Sequence, residues 1–237
     1  MGIAERKQRE FERREREILD AALELFSDDD WQAVTVEQIA ERAEIGKGTV
    51  YKHFTSKDEI YARLASEFQT SALERLEAID PKLPVTARLR AIVRVFWERH
   101  RGAREYQRLV QYCERDDFRK CLTPDSQAEL AALDARLRAA IDRVLQDGID
   151  QGILPMKPLE ALVFGPMAAL QGAVRLLWSG MLAPETRPGQ HLDEITNFIM
   201  AGMLYQEWLA EEGLDEAEIR RRAEAEVRAA AEDETAE

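Results

Sequence analysis

The sequence has little of what metal, redox or nucleophilic chemistry requires. Two cysteines and three histidines occur among its 237 residues. Cys113 and Cys121 stand eight residues apart on what reads as one helix. At about 1.5 Å per residue that is a separation of about 12 Å, too wide for a disulfide, so reduced thiols are expected. His53, His100 and His191 are scattered, and no His-x-x-x-His pair, Cys-x-x-Cys pair, glycine-rich phosphate loop or nucleophile elbow occurs. That argues against a metal site, a bound cofactor and an enzyme. Runs of β-branched residues between hairpin turns are also missing, which argues against a sheet. The longest apolar stretch, Ala161 to Leu177, is broken by Gly165, Pro166, Gln171 and Arg175. It falls short of the roughly 18 uninterrupted apolar residues of a membrane span, and a buried helix is expected there. The charged opening, Met1 to Arg16, lacks the apolar core of a secretory signal, and a cytoplasmic protein is expected.

Nor is there an excess of positive charge. The net charge of −13 argues against a general nucleic-acid binder, which is usually basic. The imbalance is uneven, however. Residues 211–237 carry 4 Lys+Arg against 11 Asp+Glu, over half of the total, whereas residues 1–65 carry 11 against 15. Bulk charge therefore leaves room for a local basic surface.

What is present is helical. Apolar residues make up 45% and charged residues 33%, the mix of a folded chain, and their spacing follows the helical period almost throughout. The chain therefore reads as all-α. A first helix is expected from Arg13 to Ser27, burying Ile18, Leu19, Ala22, Leu25 and Phe26. Thr35-Val36-Glu37-Gln38 is a capping box that opens a second helix, the Thr35 hydroxyl accepting from the Gln38 amide. Glu44-Ile45-Gly46 leaves room only for a tight turn before a third helix, Lys47 to Phe54. Ser56 and Glu59 form another capping box, opening a connecting helix over 57–79. Proline and glycine then separate helices near Val85 to Arg101, Ala103 to Arg115, Asp125 to Gln151, Pro158 to Met181 and Leu192 to Glu212. This divides the chain into a three-helix domain at 1–55, a helical bundle at 56–213 and an acidic tail at 214–237, frayed or disordered.

Two helices joined by a three-residue turn make a helix-turn-helix, whose second member fits the major groove of DNA. Its outward residues here are Lys47, Thr49, Tyr51, Lys52 and His53. No Asp or Glu occurs from 45 to 57, as a phosphate-facing surface requires. Gly48 lets the backbone approach a duplex without a Cβ.

The stretch Arg16 to Leu64 contains Ala21-Ala22-Leu23-Glu24-Leu25-Phe26, Thr35-Val36-Glu37-Gln38-Ile39-Ala40-Glu41-Arg42-Ala43 and Gly46-Lys47-Gly48-Thr49-Val50-Tyr51-Lys52-His53-Phe54-Thr55-Ser56-Lys57. It resembles the N-terminal domain of the TetR (tetracycline-repressor-like) family of transcription regulators. The resemblance implies that Thr35 caps the second helix and that Lys47, Gly48 and Thr49 approach bases or the sugar-phosphate edge. It implies also that Tyr51, His53 and Lys57 clamp phosphates, and that Lys52 reaches a base edge or a phosphate. It further implies a homodimer on palindromic double-stranded operator DNA, released by a small-molecule effector. Repression is the expected sign, since occupying a promoter needs no further contact. Two residues depart from the pattern. Glu44 stands where the family usually opens the turn with glycine. Glu37 can only accept a hydrogen bond, from a cytosine amino group for example, or stay solvated. With the acidic bulk, Glu44 motivates the alternative of a helical adaptor that binds no specific DNA.

Beyond the connecting helix no motif stands out, and the resemblance implies architecture alone: a bundle that binds an effector and dimerises through its last two helices. Gly165, Ala169, Gly172, Ala173 and Leu176 recur with helical spacing, as do Ile195, Phe198, Ile199, Gly202 and Leu209. Both stripes suit an isologous four-helix contact, and a monomer core explains each equally well. Phe96, Trp97, Tyr106, Phe164, Met167 and Trp178 are the candidates to wall an apolar cavity, with His100, Gln107, Gln171 and Arg175 as polar anchors. An apolar or aromatic effector follows from that lining.

Overall fold

The computed structural model describes residues 2–25, 33–101, 104–113, 115, 117–181, 185 and 189–211. Phe26, Ser27 and the 214–237 tail lie outside them, as do the side chains of His100, Gln107 and Leu209. Secondary structure among the described residues is helical: α1 (Ile3–Leu25), α2 (Val36–Arg42), α3 (Lys47–His53), α4 (Lys57–Glu77), α5 (Val85–Arg101), α6 (Arg104–Cys113), a short 3-10 helix (Phe118–Cys121), α7 (Pro124–Asp150), α8 (Leu159–Ser179) and α9 (Gln190–Glu211).

Two helices depart from expectation. α1 begins ten residues before the expected Arg13, because charge, not an apolar face, holds its first half. Gln8 donates to Glu12 at 2.9 Å and Arg14 to Glu17 at 2.8 Å, while Arg13 pairs with Glu10 at 2.6 Å. Such pairs one turn apart support an exposed helix and leave no trace in hydrophobic periodicity. α8 is not the buried helix expected from its composition: Leu162, Leu170 and Val174 alone are buried along it. Among the described helices it alone is long and apolar enough to cross a membrane, and it packs on α9, α5 and α7.

The cysteines also fall differently. α6 ends at Cys113 and Cys121 closes the 3-10 helix, so no continuous helix joins them, and neither is in a disulfide.

Two apolar clusters organise the packing. The first gathers Ile18, Leu19, Ile39, Val50 and Ile60 from α1 to α4, and it continues into Leu109, Tyr112, Phe118, Leu122 and Leu130. The second lies between the rest of α4 and α5, α7, α8 and α9, around Leu73, Leu89, Trp97, Leu145 and Leu170. α4 serves both and packs chiefly along α7. Apolar contact is therefore continuous across residue 55, and the corner formed by α6, the 3-10 helix and the start of α7 is packed on the N-terminal helices.

Candidate nucleic-acid interface and effector cavity

The α2–turn–α3 unit is built as the local sequence dictates. The Thr35 hydroxyl accepts from the Gln38 amide at 3.3 Å, and Gln38 Oε1 accepts from the Thr35 amide at 2.8 Å, a complete capping box. Val36, Ile39 and Ala40 fix the inner face of α2, and Val50 that of α3. Between them Glu44 adopts φ 54°, the left-handed conformation that costs a non-glycine residue about 1–2 kcal/mol.

On α3, Lys47, Gly48, Tyr51 and Lys52 are exposed and Thr49 is half-buried. Tyr51 is 48% exposed, a large ring left uncovered. Among the described residues nothing beyond its chain neighbours and own helix backbone lies within 4 Å of where a Gly48 Cβ would stand, so no packing among them asks for glycine here. The remaining expected contacts are modified by the tertiary structure. Lys47 Nζ pairs with the Glu37 carboxylate, which holds the Glu37 carboxyl below and the Lys47 ammonium above their usual ranges. The surface that is acid-free in sequence thus receives a carboxylate from α2. Lys47 also lies 5.7 Å from the centre of the Tyr51 ring.

His53 is half-buried beneath Phe11, the two rings 4.1 Å apart. Its Nδ1 finds no partner among the described residues. Loss of hydration lowers its pKa from 6.5, with Arg14 and Lys52 adding to the effect and Glu15 opposing it. Lys57 turns inward. Its Nζ donates to the Val34 carbonyl at 2.6 Å and sits 5.4 Å from the centre of the Tyr112 ring, and burial lowers its pKa. The sequence contained no signal for either contact, since Phe11 and Val34 are distant along the chain.

The first turn of α4 joins this surface to the bundle. Ser56 Oγ accepts from the Glu59 amide at 3.2 Å, half of the expected capping box. The Glu59 carboxylate does not return to Ser56; it accepts from the Thr123 amide and the Ser126 hydroxyl at the start of α7. Beside it Asp58 accepts from the Tyr112 hydroxyl at 3.0 Å. Acids that read as ordinary first-turn residues are therefore bonds between the two halves.

A recess of about 50 Å³ lies between α5, α7, α8 and α9, room for a short apolar group and well below the roughly 300–1,000 Å³ of whole small-molecule sites. Its lining is almost wholly apolar and includes Phe96, Met167, Ile141, Leu145, Leu170 and Ile199. Of the sequence candidates, Phe96 and Met167 line it. Trp97 is buried in the bundle core and Trp178 packs against that core. Tyr106 stacks on Phe68 of α4, centres 4.5 Å apart. Phe164, Gln171 and Arg175 do not reach the recess. They sit on the exposed side of α8, Phe164 at 77% exposure, because the packed face of α8 is the Leu162, Leu170, Val174 face.

The same geometry sorts the expected dimer residues. Gly165, Gly172, Leu176, Phe198 and Gly202 are exposed, with Phe198 68% uncovered. Ala169, Ala173 and Ile195 are partly buried against the bundle core. Ile199 is 3% exposed and lines the recess, on the inward side of α9.

A capped α2, a tight turn and an α3 with an open outward face, mounted on a helical bundle, define a helix-turn-helix protein. Residues 18–64 match the family model described as bacterial regulatory proteins, tetR family. The chain is 37% identical over 75 residues to the uncharacterized transcriptional regulator YhgD of Bacillus subtilis, a match covering 30% of this chain and 38% of that protein. It is 46% identical over 59 residues to the transcriptional repressor KstR of Rhodococcus jostii, covering 24% of this chain and 27% of the relative. The matches thus span about a quarter to two fifths of these curated relatives. The fold extends further. The regulator FadR of Bacillus subtilis, solved in complex with stearoyl-CoA, superposes with a TM-score of 0.62 at 18% identity, over 80% of this chain and 97% of that one.

Proposed function

We propose that this chain is a dimeric, ligand-responsive transcription regulator that binds palindromic operator DNA through α3 and is released by an apolar or aromatic small molecule held in the bundle. The observation that carries the reading is the α3 surface: Lys47, Gly48, Tyr51 and Lys52 stand exposed on a helix whose other face is anchored by Val50. Donors and a flat ring suit base edges and phosphates. The missing Cβ at Gly48, which no packing among the described residues requires, admits a duplex.

Dimerisation is supported by the uncovered apolar side of α8 and α9, where Phe164, Leu176 and Phe198 face outward. Two half-sites one duplex turn apart need two copies of α3. The domains divide functionally at the start of α4. The effector's character is supported by the apolar recess, and the relative FadR was solved with stearoyl-CoA. Repression is the sign, and the cytoplasm, where the DNA is, the place of action.

Fluorescence anisotropy on duplexes from the DNA beside its own gene tests the reading. Lys47→Ala with Tyr51→Ala abolishes sequence-specific binding while leaving the helical fold intact. Unchanged sequence-specific binding by that variant overturns the assignment to α3, and equal binding to all duplexes by the unaltered protein supports the adaptor alternative instead.

A further inference from the structure

Arg99, near the end of α5, is not accounted for by the packing around it. It is partly buried, and its Nε is shielded from solvent with no acceptor among the described residues. What lies against the guanidinium is aromatic: its central carbon is 4.2 Å from the centre of the Phe68 ring on α4 and 5.9 Å from that of Phe96 on α5. Rings offer a cation a weak attraction and no hydrogen bond. Asp134, the acid whose field reaches Arg99, is engaged elsewhere. It accepts from Gln69 at 2.9 Å and from Arg119 at 2.5 Å. A desolvated cation without a counterion is costly unless something supplies one.

Phe96 connects this cation to the recess, because the same ring lines the cavity wall. An apolar recess and a guanidinium whose Nε has no acceptor among the described residues therefore adjoin across one side chain. Resting on the reading of that recess as the effector site, we propose that the effector is an amphiphile with an anionic head, its hydrocarbon part in the recess and its head paired with Arg99. A planar fork of donors suits a carboxylate or a phosphate oxygen pair, so both sources share the chemistry. Burial pushes the Arg99 pKa down to about 10, which leaves the side chain a cation at neutral pH. Because Phe68 belongs to α4, a head drawn against Arg99 bears on the helix that carries α3.

The test uses the full chain and three probes with one short hydrocarbon length: hexanoate, hexan-1-ol and hexanoyl-CoA, each titrated by calorimetry. The unaltered protein binds hexanoate at least about tenfold more tightly than hexan-1-ol, a difference of about 1.4 kcal/mol. In Arg99→Met, which keeps an apolar stem, that ratio falls to about twofold while the alcohol's own affinity holds. Arg99→Lys retains part of the preference. Tighter binding of the thioester with the same Arg99 dependence identifies phosphate as the partner; tighter binding of the free acid identifies carboxylate. A cooperative thermal transition and operator binding without effector show that the variants are folded. Equal affinity for acid and alcohol, or an acid preference that survives Arg99→Met, overturns the proposal while leaving the recess an effector site. Failure of all three probes to bind overturns the proposal together with the apolar-effector reading, and leaves the DNA reading to its own assay.

Discussion

Glu59 is the sharpest place to perturb the junction between the DNA-reading helices and the bundle. It is 8% exposed, and its carboxylate accepts from the Thr123 amide and the Ser126 hydroxyl. Hydrogen bonds to a charged acceptor contribute about 1.5–3 kcal/mol each. Glu59→Ala removes both and strands the Thr123 amide, although water entering beside α7 and rotation of the Ser126 hydroxyl toward Thr123, 3.1 Å away, recover part. A net loss of about 2–4 kcal/mol is expected on these figures. Glu59→Gln, which keeps one acceptor but loses the charge at the α7 N-terminus, loses about half as much. Urea denaturation of the two variants measures the losses, read as the midpoint shift at constant slope. A double-mutant cycle with Ser126→Ala isolates the bond itself, and residues in direct contact couple by about 0.5 kcal/mol or more. Because the bond ties α4 to α7, Glu59→Ala also weakens the response of operator affinity to effector. A loss under about 0.5 kcal/mol with an additive cycle refutes the assignment of Glu59 as a bond between the halves.

The remaining expectations are independent of that one. Glu44→Gly relieves the left-handed backbone at φ 54° and raises stability by up to about 1 kcal/mol after the entropy cost of glycine, measured by the same denaturation. Glu37→Ala frees Lys47 and changes which bases are selected at one position of each half-site, seen by sequencing duplexes bound from a random pool; an unchanged preference argues against any role for the pair in reading DNA. His53, with its pKa below 6.5, contributes stability that is fully present above pH 6.5 and lost as pH falls through the depressed value. The pH profile of His53→Gln therefore lacks that acid-side loss, and superimposable profiles contradict the burial argument. Phe198→Arg places a charge on the exposed apolar side of α9 and yields monomers in sedimentation experiments with operator affinity down at least about tenfold, since one copy spans one half-site.

The all-α class, the capping box at Thr35, the tight turn and the outward set on α3 were legible in the sequence because each depends on residues within a few positions of one another. Hydrophobic period and caps are local properties, and the DNA-reading unit is a local construction. Helix bounds from α4 to α9 were likewise legible from proline and glycine. The first half of α1 was not, since charge pairs carry no apolar period. What only the tertiary structure decided are the pairings between residues distant along the chain: Lys47 with Glu37, Lys57 with Val34, His53 with Phe11, Glu59 with Thr123 and Ser126, and Arg99 with Phe68. The sequence placed Phe164 and Ile199 on plausible stripes, but which side of α8 and α9 faces inward depends on how they pack on α5 and α7. A helix shows its apolar residues in its period, whereas the orientation of a helix that is apolar nearly all round is set by its neighbours.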